Sequence, residues 1–176
     1  MIGSLSMKQL IQQPDQVIQL QPLQSLKPEA NEVVIKMILS PIHNHNLMQL
    51  RGNYGYQPPL PTLAGTEAVG IISQIGSDVK NLKIGQRVII TGNFGTWSDE
   101  FIAPAEQAIP IPDEMPNEIA AQVLAMPLSA WMVLNKLKVQ TNQWLMINAA
   151  AGSVGKNIII FAKSRQLKII ALIHKE

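Results

Sequence analysis

Late in the chain, the run Asn148-Ala-Ala-Ala-Gly-Ser-Val-Gly155 concentrates residues too small to fill space, and that is where an anion could be held. It follows the apolar stretch Trp144-Leu-Met-Ile147 and precedes a helical pattern. The run therefore reads as a strand turning into a helix, whose first amides (Ser153, Val154 and Gly155) and dipole would face a pyrophosphate. Gly152 is suited to a tight turn or to close approach of a phosphate. Asn148 opens the run, Ala149, Ala150 and Ala151 keep the crevice above the strand open, and Gly155 lets the helix pack closely. The pattern is not the full G-x-G-x-x-G fingerprint, so taken alone it fits a plain strand-to-helix connection equally well. Past the next strand, His174 and Lys175 favour the extra phosphate of NADPH, while Glu176 leans toward the ribose hydroxyls of NADH. The balance favours NADPH, with NADH second.

A second group of polar residues lies earlier. His43 and His45 stand two apart, and on a strand they would share one face. No third ligand accompanies them, so a metal site is not expected, and a hydrogen bond to cofactor or substrate competes with a structural role. The chain has no cysteine, which excludes disulfides and thiolate metal sites.

Composition limits the function classes. Of the 176 residues, 47% are hydrophobic and 15% charged, enough for a packed core. A net charge of +2, with scattered Lys and Arg, gives no basic patch for nucleic acid. No apolar stretch approaches the ~20 residues of a membrane span, and no signal peptide is visible, so a cytoplasmic protein is expected. Residues 1–6, before Met7, read as an extension outside the fold.

Two kinds of element must position these groups. Up to about residue 112 the pattern is of short strands: Val17-Ile-Gln-Leu-Gln-Pro22, Glu32-Val-Val-Ile-Lys-Met-Ile-Leu39, Val69-Gly-Ile-Ile-Ser-Gln-Ile75, Lys83-Ile-Gly-Gln-Arg-Val-Ile-Ile90, Phe101-Ile-Ala103 and Ala108-Ile-Pro-Ile-Pro112. Proline at strand ends suggests a partly open barrel or sandwich. Asn117 is a helix N-cap candidate, and 118–137 follow helical spacing that Pro127 must kink or divide. Then strand 144–147, helix 153–165 and strand 167–173 form one βαβ unit, the last strand apolar as if covered on both faces. The expected division is a barrel over 7–115, connecting helices over 116–140 and a partial nucleotide-binding domain over 141–176.

Taken in chain order, Ser40-Pro-Ile-His-Asn-His-Asn46, Arg51-Gly-Asn-Tyr-Gly55, Pro59-Leu-Pro61, Gly65-Thr-Glu-Ala-Val-Gly70, Leu82-Lys-Ile-Gly-Gln-Arg-Val88, Gly95-Thr-Trp97 and the small-residue turn resemble the medium-chain dehydrogenase/reductase superfamily. The likeness is to its zinc-free branch of quinone oxidoreductases and 2-enoyl thioester reductases. It implies a mixed α and β fold, with a GroES-like β-barrel catalytic domain followed by the first βαβ unit of a Rossmann domain, and a substrate cleft between domains. It also implies a truncated chain, since a complete relative continues for about as many residues again, so association covering the exposed half-domain, or a homo-oligomer, is expected.

The resemblance also implies roles for single residues. The position of a zinc-binding His is taken by Thr66, which speaks against a catalytic zinc. Tyr54 matches the tyrosine that enoyl thioester reductases use as proton donor or polarising group. His43 stands where those enzymes carry Asn, and Asn46 where relatives often carry Asp. By the same likeness, His43, His45, Asn46 and Trp97 are the substrate-cleft candidates, and Glu67 an organiser of the cleft loop. The implied activity is NADPH-dependent reduction of a small molecule, a quinone or an activated C=C bond. The competing readings are a non-catalytic remnant and a small-molecule binding domain.

Overall fold

The computed structural model describes residues 7–15 and 17–174. The chain forms two compact units, Met1–Gln122 and Val123–Glu176. The six residues read as an extension, and Lys175 and Glu176, lie outside the described residues.

The first unit is built from antiparallel strands in two sheets. The larger has the order β7-β3-β5-β6-β8, with β3 (Glu32–Leu39), β5 (Glu67–Ile75), β6 (Arg87–Thr91), β7 (Glu100–Pro104) and β8 (Ile109–Pro110). The smaller has the order β2-β1-β4, with β1 (Lys8–Gln12), β2 (Ile18–Pro22) and β4 (Thr62–Leu63). A bridge between Gln9 and Ser98 ties the two, giving the half-open barrel that the strand pattern suggests. β1 has no counterpart in the strands read from the sequence, because three of its five residues are only half-buried and its partners are set by tertiary pairing.

β3 is the centre of this unit. It pairs β5 on one side and β7 on the other, with Val33 opposite both Ile75 and Ala103. Val33 and Ile35 point into a core completed by Ile72, Val88, Ile90 and Phe101. Each such side chain contributes ~1.5–3 kcal/mol on burial, which anchors a strand whose end at Leu39 leads directly into the polar segment Ser40–Asn46.

Between β3 and β4 the chain makes α1 (Asn44–Leu50). His43 and His45 therefore belong to the start of a helix rather than to one face of a strand. Pro41 ends the extended run, and the His43 amide donates to Asn46 Oδ1 at 3.0 Å, closing the first turn.

At the end of the unit, α2 (Asn117–Ala120) is a single turn whose N-cap is Pro116; Asn117 is its first residue. The Asn117 side chain instead accepts from Arg87 Nη2 at 2.9 Å, which diverts it from capping. The helical stretch is divided at 121–124, ahead of Pro127. Proline then falls in the first turn of the next helix, where its missing N–H has no intrahelical partner to lose.

The second unit holds α3 (Ala125–Leu137), β9 (Trp144–Ile147), α4 (Ser153–Ser164) and β10 (Lys168–Ala171). β9 and β10 pair in parallel, with Trp144 opposite Lys168 and Ile147 opposite Ala171. Leu145 and Ile147 pack with Leu134, Ala162 and Leu167. The other face is open: Trp144 and Met146 are each 64% exposed and Ile170 39%. β10 is thus apolar without being covered on both faces; among the described residues nothing lies over that side of the two-stranded sheet.

Candidate functional site

In the first unit, the start of α1 and the start of β5 bring five polar residues together. Glu67, the first residue of β5, is 2% exposed, and its Oε2 lies 2.5 Å from His43 Nε2. The next ring outward is His45, stacked on His43 with centroids 5.2 Å apart. His45 Nε2 lies 3.0 Å from Thr66 Oγ1, and the same hydroxyl accepts from Asn46 Nδ2 at 2.9 Å. Among the described residues every buried polar side-chain atom here has a partner. Burial, reinforced by the nearby His43, lowers the His45 pKa below the usual 6.5, while Glu67 opposes this. His45 is therefore neutral at pH 7.

Tyr54 lies above this cluster. Its ring is 5.7 Å from that of His45 and tilted by 35°, and the residue is 43% exposed. The cluster thus gathers His43, His45, Asn46 and Tyr54, with Thr66 and Glu67 behind them. Thr66 is a residue that the sequence marked only as a replacement for a metal ligand; the hydroxyl's distance in sequence from α1 hid its bridging place.

Trp97 is held separately, its Nε1 donating to Pro41 O at 3.2 Å. Gly65 explains that proximity. At φ +85° it occupies the left-handed region, and a Cβ there would come within 2.5 Å of both Thr96 Oγ1 and Trp97 Cδ1. Trp97 also borders an apolar groove of about 520 Å³ formed with Leu10, Leu20, Met37, Ile42 and Leu47.

In the second unit, the turn from β9 to α4 has a different anatomy from that expected. The left-handed residue is Ala149 at φ +49°, and Gly152 is an extended N-cap at φ −71°. Gly152 is not the tight-turn residue, because Ala149 makes the reversal and its carbonyl accepts the Gly152 amide at 3.0 Å. Asn148 and Gly152 are exposed and Ala150 is buried, its amide donating to Leu172 O at 3.1 Å. A Cβ at Gly155 would lie 2.7 Å from both Ala149 O and Ala150 Cα, so only glycine lets α4 approach the turn. No side chain caps α4. The first-turn amides of Ser153, Val154 and Gly155 thus have no side-chain cap; Ser153 is exposed and Gly155 is buried against the turn. His174 is exposed just beyond β10; Lys175 lies outside the described residues. Among the described residues no three His, Asp or Glu side chains converge as metal ligands.

Residues 29–113 match the alcohol dehydrogenase GroES-like domain. The chain is 34% identical to the mitochondrial enoyl-[acyl-carrier-protein] reductase of Rattus norvegicus, over 91% of this chain and 43% of that protein. It is 31% identical to the Arabidopsis thaliana protein of the same name, with the same two coverages. The Escherichia coli quinone oxidoreductase structure, solved with NADPH, superposes with a TM-score of 0.81 at 29% identity, covering 94% of this chain and 51% of that one. These likenesses together support the chain's membership of the medium-chain dehydrogenase/reductase superfamily. Its fold is the mixed α and β arrangement of that superfamily, and it spans about half the length of the relatives it matches.

Proposed function

We propose that this chain carries the proton-donating half and the opening of the cofactor site of an NADPH-dependent, zinc-free reductase of quinones or activated C=C bonds. The observation that supports the reading most is the turn into α4: a helix start without a side-chain cap, with a glycine whose replacement would force α4 away from the turn. This is a chemical match for a pyrophosphate. NADPH is preferred to NADH on the strength of the similar NADPH-bound structure and of His174 beside the strand end. A cytoplasmic location belongs to the reading as well, although the enoyl reductases it resembles are mitochondrial.

When bound, the nicotinamide would supply two electrons and a hydrogen to one carbon of the substrate. The chain's own residues do the rest. Tyr54 donates its phenolic proton to the neighbouring carbon or to the enolate oxygen, and the resulting phenolate recovers a proton from the water that its exposure admits. Neutral His45 leaves no added charge beside Tyr54. Ser153, Val154 and Gly155 hold the diphosphate through backbone N–H groups.

The test is protection by cofactor. NADPH at 100 times its Kd should raise unfolding free energy by about 2.7 kcal/mol. Absence of any thermal shift at millimolar NADPH would leave the second reading, a domain without a competent cofactor site.

A further inference from the structure

Both histidines above β5 turn their Nε2 atoms toward partners of their own: His43 toward Glu67 and His45 toward Thr66. What faces outward is the flat side of a ring. Tyr54 is the residue that meets it. We propose that His45 is a positioning residue for Tyr54, its own ring plane set by Thr66 and by the His43–Glu67 pair behind it. The proposal rests on the reading of Tyr54 as proton donor, because a donor needs a fixed angle.

The loop carrying Tyr54 supplies little of that fixity. Its backbone is tied at the start, where Arg51, Gly52 and Asn53 amides donate back to α1, and Gln57 Nε2 donates to the Tyr54 carbonyl at 3.0 Å. None of these bonds touches the phenol ring. The ring contact with His45, at 5.7 Å, lies within the range of favourable aromatic pairs. His45 in turn cannot swing freely. Thr66, which holds its Nε2, is itself held by Asn46, a helix residue only 3% exposed. His43 lies under the other face, and its anchor Glu67 is buried. A stack of three rings thus runs from the start of β5 to the exposed phenol. The groups facing His45 are His43, Thr66, Asn46 and Tyr54, with Glu67 one layer below.

The chain contains only two tyrosines, so the ring signals of Tyr54 can be followed by NMR in the full chain, with Tyr56 as internal control. In the native protein the Tyr54 ring protons should be displaced from free-tyrosine positions. They should also move as His45 titrates below pH 6.5. His45→Phe should keep the displacement and lose the pH response; His45→Ala should lose both. Tyr56 should stay put throughout, and backbone amide spectra establish that each variant is folded. Unchanged Tyr54 signals in His45→Ala, or equal loss in Phe and Ala variants, would overturn the proposal. The readout needs no turnover, so it stands apart from the reductase reading: displaced Tyr54 signals with no loss of activity in Tyr54→Phe would support the stack and remove the proton-donor role.

Discussion

A phenol that gives up a proton and regains it needs water on one side and a fixed neighbour on the other, and Tyr54 has both. In a reductase assembled with the remaining half of the fold, Tyr54→Phe should lower kcat by ~10²-fold or more, the usual size of a general-acid contribution. Kd for NADPH should be unchanged, and steady-state kinetics with cofactor titration checks the pair. His45 gives a second expectation, in stability. Its pKa is lowered in the fold, so above 6.5 it is neutral in both folded and unfolded chains and its contribution is complete. As pH falls below that value the unfolded chain takes up a proton that the fold resists, and stability declines until the folded pKa is passed. Urea midpoints between pH 7.5 and 5 should show that decline, and His45→Gln should flatten it. At this scale the sequence made His43, His45, Asn46 and Tyr54 visible, since polar types stand out among apolar neighbours. It could not show that Glu67 receives His43 or that Thr66 bridges His45 and Asn46, because those partners lie 20 or more residues apart and meet only when β5 places them beside α1.

Among the elements, the ones with a strong internal pattern were legible and the ones made by partners were not. β3 and β9 match their sequence patterns residue for residue, because β-branched and apolar runs leave few alternatives. α1 was invisible: seven residues are too few for a periodic signal, and its start depends on the Asn46 side chain meeting the His43 amide. The turn into α4 was recognisable as a turn while its internal roles were exchanged, since the left-handed position falls on Ala149, where composition points to glycine. Gly155 is the sharper test. Gly155→Ala places a methyl 2.7 Å from Ala149 O, an overpacking that should cost about 1–3 kcal/mol and abolish protection by NADPH. Chemical denaturation with and without cofactor measures both. Gly65→Ala should be comparably costly, because its Cβ meets Thr96 and the Trp97 ring at 2.5 Å in a left-handed backbone; loss of native Trp fluorescence would report it.

For the whole molecule, two apolar surfaces lie uncovered among the described residues, the groove beside Trp97 and the open face of β9 and β10. Parallel sheets normally have both faces covered, and unpaired strands invite partners. The chain should therefore self-associate in a concentration-dependent way. Replacing Trp144 and Met146 by Ser should shift sedimentation toward monomer, since both side chains project from the open face. The first unit ends in a different manner. Arg87, on β6, donates through Nη1 to Asp113 O at 2.8 Å and through Nη2 to Met115 O at 2.7 Å and Asn117 Oδ1 at 2.9 Å. One guanidinium thereby gathers a stretch that carries three prolines between residues 110 and 116. Anyone dissecting the chain should cut beyond Asn117: a piece ending at Pro112 would strand those donors and fray, whereas one reaching Gln122 would keep its own seal against proteases.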